Sequence, residues 1–247
     1  MNPKFAPGII PGATVEAVAP LTRRVWDLPV RIFHWVLVLA MTGAYVTHRV
    51  GIEAFPYHVW CGYTVIVLVV FRLIWGVVGT RHAQFGNFVR NPGVTLRYLA
   101  AMLRGEHERF AGHNPLGGVM VVALLIALAL QALFGLFGND EIFNFGPLYG
   151  YVSKARSLQL TSFHRKLFYW IAGAVAVHVL AVLWHRWRYR EALVTAMFTG
   201  RKPAGLVAAA EEIASSRLWL ATFIVVAVIV VLTWVIRAAP QPAGNFF

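Results

Sequence analysis

Acidic residues are scarce. The 247-residue chain has 10 Asp and Glu against 22 Lys and Arg, a formal net charge of +12. All charged residues together make up 13% of it, about half of what a soluble domain carries. With 59% hydrophobic residues, the chain cannot dress a water-facing surface, which excludes a soluble globular class. Cysteine is nearly absent. Cys61 stands alone, so no internal disulfide can form, and no Cys-x-x-Cys-His phrase is present to anchor a prosthetic group covalently. The opening Met1-Asn2-Pro3-Lys4-Phe5-Ala6-Pro7 contains no apolar core of signal-peptide length, so the first crossing segment is expected to act as the uncleaved membrane-entry signal. No internal repeat is evident. The excess positive charge does not read as a nucleic-acid footprint, because the basic residues flank apolar runs instead of lying in a polar domain.

What the sequence has is five apolar runs of membrane-crossing length, at about Ile32–Thr47, Tyr57–Gly79, Leu116–Phe137, Ser162–His185 and Leu218–Ile236. Asn114-Pro115 precedes the third, where proline suits a first helical turn, and Thr161 or Ser162 is the expected cap of the fourth. Residues 1–24 read as an irregular N-terminal segment, 25–203 as the main bundle, and 204–247 as a linker with an additional transmembrane helix. Two other stretches read as non-spanning helices. Pro92–Arg104 places Leu96, Leu99 and Leu103 on one face and suits the membrane interface. Arg186–Thr199 reads as a basic continuation of the fourth span. The loop Gly138–Thr161, with Asp140 and Glu141, is the natural docking surface for a protein on its side of the membrane.

Five crossings put the chain termini on opposite sides, and basic residues decide which is which. Lys4, Arg23, Arg24 and Arg31 precede span one. Arg81, Arg90, Arg97, Arg104 and Arg109 separate spans two and three. Arg186, Arg188, Arg190, Arg201, Lys202 and Arg217 separate spans four and five. These fifteen share one side, whereas Arg49, Lys154, Arg156, Arg165, Lys166 and Arg237 share the other. The basic side is expected to be cytoplasmic, with the N-terminus inside and the C-terminus outside.

This topology sorts the histidines by depth. His34 begins span one, His58 begins span two, and His164 and His178 both lie on span four. The last two are 14 residues apart, hence about 21 Å along the axis and only about 40° around it. The expected pairs are therefore His34 with His178 near the inner face and His58 with His164 near the outer face. An ionisable residue inside a membrane helix is a functional-site hypothesis by default. Paired imidazoles at two depths suit two haems, each six-coordinate and saturated, which is an electron-transfer arrangement. The expected fold is an all-α membrane protein, a four-helix haem-binding transmembrane bundle with a fifth C-terminal helix. Gly43, Gly62 and Gly173 are small residues on the ligand-bearing helices, where they allow close approach of a macrocycle or a neighbouring helix. Arg72 follows His58 by 14 residues and is expected beside the inner haem, paired with a propionate or snorkelling to the inner surface. His185 and His113 are candidates for proton or quinone contact at the inner side. His48 reads as a loop residue, and His82 and His107 as solvated.

The phrases Val25-Trp26-Asp27-Leu28-Pro29-Val30-Arg31-Ile32-Phe33-His34-Trp35, His58-Val59-Trp60-Cys61-Gly62, Arg72-Leu73-Ile74-Trp75-Gly76 and Gly112-His113-Asn114-Pro115-Leu116-Gly117-Gly118, with His164 and His178, resemble the bacterial cytochrome b561 family, in the branch of nickel-iron hydrogenase cytochrome b subunits. The resemblance covers about Val25 to Pro203. It implies a four-helix core with two haem b groups, held by His34, His58, His164 and His178. It further implies electron transfer between a periplasmic partner, such as a c-type cytochrome or a dehydrogenase or hydrogenase subunit, and the membrane quinone pool. The fifth span lies outside the family's usual core and is expected to dock a partner or anchor the tail. Two alternatives remain: a superoxide:quinone oxidoreductase with Arg165 and Lys166 beside the outer haem, and a histidine-lined metal transporter, which would want carboxylates or cysteines near the histidines, where the spans offer only Cys61.

Overall fold

A computed structural model describes residues 21–142 and 144–240. The chain runs β1 (Thr22–Arg24), α1 (Leu28–Val50), α2 (Phe55–Val78), α3 (Phe85–Phe88), α4 (Pro92–Leu103), α5 (Pro115–Leu136), α6 (Lys154–Arg188), α7 (Leu193–Thr199), β2 (Arg201–Pro203) and α8 (Leu218–Ala238). Five of these, α1, α2, α5, α6 and α8, are long and apolar enough to cross a membrane, and the molecule is a multi-pass helical membrane protein. We call the end holding the loop 137–153 the narrow end, and the opposite end, where β1, β2, α4 and α7 gather, the broad end.

Proline and side-chain caps set where the helices begin. The Asp27 carboxylate accepts from the Val30 N–H at 2.7 Å and caps α1, with Pro29 in the first turn. The same buried carboxylate also accepts from Trp75 Nε1 at 3.1 Å and from the Thr80 hydroxyl, tying the start of α1 to the end of α2. Asn114 caps α5 through the Gly117 N–H at 2.7 Å, with Pro115 in the first turn as expected. Asn91 caps α4, so a helix forms where one is expected, with Leu96 and Leu103 exposed.

Three expectations meet a different structure. Helix α6 begins at Lys154, capped by the Ser153 hydroxyl, and not at Thr161 or Ser162. Those interior hydroxyls have other work. Ser157 donates to the Phe137 carbonyl at 2.6 Å, and Thr161 accepts from the Asn139 N–H at 2.9 Å, so both pin the narrow-end loop. Second, the fourth span does not continue to Thr199. It stops at Arg188, Arg190 takes a left-handed conformation (φ 55°), and α7 starts afresh at Leu193. Third, the N-terminal segment is not irregular up to residue 24, because Thr22–Arg24 pair antiparallel with Arg201–Pro203. Residues 1–20, for which an irregular structure is expected, lie outside the described residues, as does 241–247 of the tail.

Helix α1 packs on α2, α2 on α5, and α5 on α6, while α8 lies against α2 and touches α1. The core is in two parts. One is at the broad end, where Val25, Trp26, Phe71, Trp75, Val207, Ala221 and Ile224 close together. The boundary drawn at residue 203 is therefore no break in packing, since Val207 and the fifth span join this cluster. The other part is the middle of the bundle, where Ala40, Val65, Val69, Leu128 and Ile171 meet, backed by Met41 and Leu167. Met41, Val65 and Ile171 each lie seven residues from a paired histidine on their own helix. An apolar layer thus separates the two histidine levels.

Candidate haem-ligand sites

At the broad end, His34 of α1 and His178 of α6 face each other with ring centres 6.5 Å apart and planes at 55°. At the narrow end, His58 of α2 and His164 of α6 do the same at 6.2 Å and 78°. The structure brings together the two pairs that depth alone predicts. Their spacing has a chemical meaning. A metal–imidazole bond is about 2.0 Å, and a five-membered ring with sides of about 1.3 Å has its centre about 1.1 Å from each atom. Two imidazoles that shared one iron between them would therefore have centres about 6.2 Å apart. A direct imidazole–imidazole hydrogen bond would draw the rings closer.

The narrow-end pair is oriented by the backbone. His58 Nδ1 lies 2.8 Å from the Ala44 carbonyl, and His164 Nδ1 lies 2.8 Å from the Gln131 carbonyl. A carbonyl oxygen only accepts, so both Nδ1 atoms carry the proton and both Nε2 atoms present a lone pair, the state a metal ligand needs. The Gln131 amide sits 3.3 Å from His164 Nε2 and donates to it. The broad-end pair lacks such anchors. His34 Nδ1 is buried with no partner among the described residues, and its ring meets Trp35 edge-on at 4.8 Å.

The surroundings fit a flat cofactor in part. A Cβ built on Gly62, one turn after His58, meets nothing within 4 Å among the described residues, which leaves open space beside that imidazole. Gly43 serves a different purpose, since its Cβ would touch Cys61 Sγ at 3.0 Å, a helix–helix contact between α1 and α2. Gly173 lies on an exposed stretch of α6. Gly135, not singled out from the sequence, makes room for a ligand: a Cβ there would sit 3.1 Å from His164 Cε1. Gln131 was missed as well. It is the lone polar side chain in the 22-residue α5, and that alone was the available signal. Arg72 is 2% exposed, lies 4.9 Å from the Phe85 ring centre and 5.8 Å from that of Phe88, and has one guanidinium nitrogen without a partner. It does not snorkel to the surface.

The remaining histidines are more engaged than the sequence suggests. His113 lies between Trp26 (4.7 Å) and Phe88 (4.6 Å), and its Nδ1 has no partner. Burial, with Arg72 and Lys202 nearby, pushes its imidazole down to about 3, so the ring stays neutral at physiological pH. His82 is not solvated. It is buried, and its Nε2 donates to the Glu211 carbonyl at 2.8 Å. His107 is not solvated either. It stacks on Tyr189 at 3.7 Å and joins His185 in a bridge through Glu191, whose carboxylate oxygens lie 3.1 Å from His107 and 3.2 Å from His185. Burial works against the Glu191 charge, but the hydrogen bonds and proximity of the two imidazoles outweigh it and hold the carboxyl below its usual range. His48 belongs to the last turn of α1, 5.9 Å from His58. Among the described residues no group of three His, Cys, Asp or Glu side chains is placed to hold a metal ion.

No solved structure matches the chain. Relatives described as probable Ni/Fe-hydrogenase B-type cytochrome subunits do. The one from Cupriavidus necator is 22% identical over 73% of this chain and 78% of its own length. That from Rhodobacter capsulatus is 25% identical over 77% and 86%. That from Bradyrhizobium diazoefficiens is 24% identical over 76% and 88%. Residues 25–200, which carry both histidine pairs, match the family model described as prokaryotic cytochrome b561, and the chain belongs to that family of helical membrane proteins carrying haem b.

Proposed function

We propose that this chain is the membrane cytochrome subunit of a nickel-iron hydrogenase, holding two haem b groups and carrying electrons from a periplasmic partner to the quinone pool. The observation that carries this reading is the pair of imidazole spacings, 6.5 Å and 6.2 Å, at two levels of the same three helices. Bound there, haem b supplies reversible one-electron chemistry at iron. The chain's own residues do the rest. His34 and His178 would hold one haem at the broad end, and His58 and His164 would hold the other at the narrow end. Gly62 leaves room for the macrocycle. Arg72, at the broad-end level and with one guanidinium nitrogen lacking a partner among the described residues, would offer a propionate its charge.

Orientation follows from the basic residues. Among the described residues fourteen of these flank the broad end and six the narrow end, so the broad end faces the cytoplasm and the narrow-end loop 137–153 faces the periplasm, where a hydrogenase subunit docks. The nomenclature of the relatives supports the hydrogenase partner. The Glu191-bridged His185 and His107, at the cytoplasmic side, are placed to move protons for quinone reduction. The test is haem stoichiometry. Purified protein should give two haem b per chain by pyridine haemochrome, and His178→Ala should give one, with a folded spectrum for the survivor. Two haems retained by His178→Ala would overturn the ligand assignment.

A further inference from the structure

We propose that the cavity beside α4 at the broad end holds the phosphodiester headgroup of an anionic membrane lipid, gripped by Arg90, Arg97 and the Tyr98 hydroxyl. Nothing in this depends on the haem-ligand assignment. The cavity has a volume of about 730 Å³ and lies between α4, the segment 104–110 and Pro115 at the start of α5. Three guanidinium groups line it. Arg97 and Arg104 are seven residues apart, so they lie on nearly the same side of the helix, about 10.5 Å apart along its axis. Arg90 stands just before the Asn91 cap. Two carboxylates, Glu106 and Glu108, share the lining. Arg104 pairs with Glu106 at 2.8 Å, whereas neither Arg90 nor Arg97 is ion-paired among the described residues. Set against Glu108, these two leave one positive charge in excess.

Tyr98 adds a second, independent observation. It is 8% exposed, its ring meets Phe110 edge-on at 5.6 Å, and its hydroxyl, buried at the cavity, has no partner among the described residues. A phenolic O–H is a donor in want of an acceptor. A ligand with acceptor oxygens and one negative charge satisfies the hydroxyl and the arginines together. A phosphodiester is such a group, and guanidinium forks match its oxygens in pairs. The helix also says where the phosphate comes from. Leu96 and Leu103, 64% and 77% exposed, each precede an arginine by one position. An apolar row therefore runs about 100° around α4 from the basic one. A free phosphate leaves that row bare, whereas a lipid lays an acyl chain along it.

The test is native mass spectrometry of the full-length protein in neutral detergent, titrated with phosphatidylglycerol, phosphatidylcholine or inorganic phosphate. Phosphatidylglycerol is expected to bind at least about tenfold more tightly than phosphatidylcholine, whose choline cancels the phosphate charge. Arg90→Gln with Arg97→Gln should abolish that preference. Tyr98→Phe, which removes only the hydroxyl, should weaken phosphatidylglycerol binding at least about threefold. Arg186→Gln removes an exposed charge elsewhere at the broad end and should leave both values unchanged. Equal binding of the two lipids, a preference kept by the double arginine variant, no effect of Tyr98→Phe, or an equal loss in Arg186→Gln would each overturn the site. Displacement of phosphatidylglycerol by an equal concentration of inorganic phosphate would overturn the lipid as its occupant.

Discussion

Gly135 decides whether His164 can stand where it does. A Cβ there would lie 3.1 Å from the ring, and the branches of a larger side chain would reach further into it. Gly135→Val is therefore expected to displace His164 and reduce bound haem by about one equivalent per chain, as read by pyridine haemochrome, while the broad-end haem survives. At this scale the sequence was legible where chemistry announced itself. Four histidines in apolar runs were conspicuous because an ionisable group in a membrane helix demands a reason. The supporting residues were not. A glycine in a membrane helix is ordinary, and nothing in the chain order of Gly135 says which neighbour needs its space. The backbone carbonyls of Ala44 and Gln131 were invisible, since every residue has one and only the fold decides which of them a ring meets.

Asp27 makes the same point for the elements. Its carboxylate caps α1 and also receives the Trp75 indole and the Thr80 hydroxyl, with 1% of the residue exposed. Asp27→Ala loses a cap worth about 1 kcal/mol and leaves two buried donors unpaired at about 1–3 kcal/mol each. A fall in Tm well beyond that of an ordinary cap deletion is expected in a thermal melt followed by haem release. The five long helices could be read from hydropathy alone, because twenty apolar residues have few other uses. Their ends could not be read so well. Thr161 looks like a cap in sequence, but the helix runs through it, and its hydroxyl serves the adjacent loop instead. The turn at Arg190 was hidden for a related reason. Its left-handed backbone returns Glu191 to His185, an interaction between residues whose separation in sequence suggested only a continued helix.

For the whole molecule, the surprise is the fifth span. The family pattern ends near residue 200, which made α8 look like an addition, yet Ala221 and Ile224 are buried in the same cluster as Trp26, Phe71 and Trp75. A chain ending at Arg217 is expected to lose stability by at least about 2 kcal/mol, the scale of one buried aliphatic side chain. The measurement is the thermal midpoint in detergent, and an unchanged midpoint would reduce α8 to an anchor. Packing between remote elements of this kind has no local signature. Charge asymmetry, by contrast, was legible at this scale because it is a sum over the chain and needs no contacts.

The apolar layer of Ala40, Val65, Val69, Leu128 and Ile171 has an electrical consequence. It holds the two ligand levels about 21 Å apart, roughly two-thirds of the hydrocarbon thickness. A membrane voltage costs about 2.3 kcal/mol per elementary charge per 100 mV across the full bilayer. Moving one electron between the levels therefore feels about 1.6 kcal/mol per 100 mV. In an energised membrane, the share of electrons resting on either side of that insulating slab is expected to change by roughly tenfold per 100 mV.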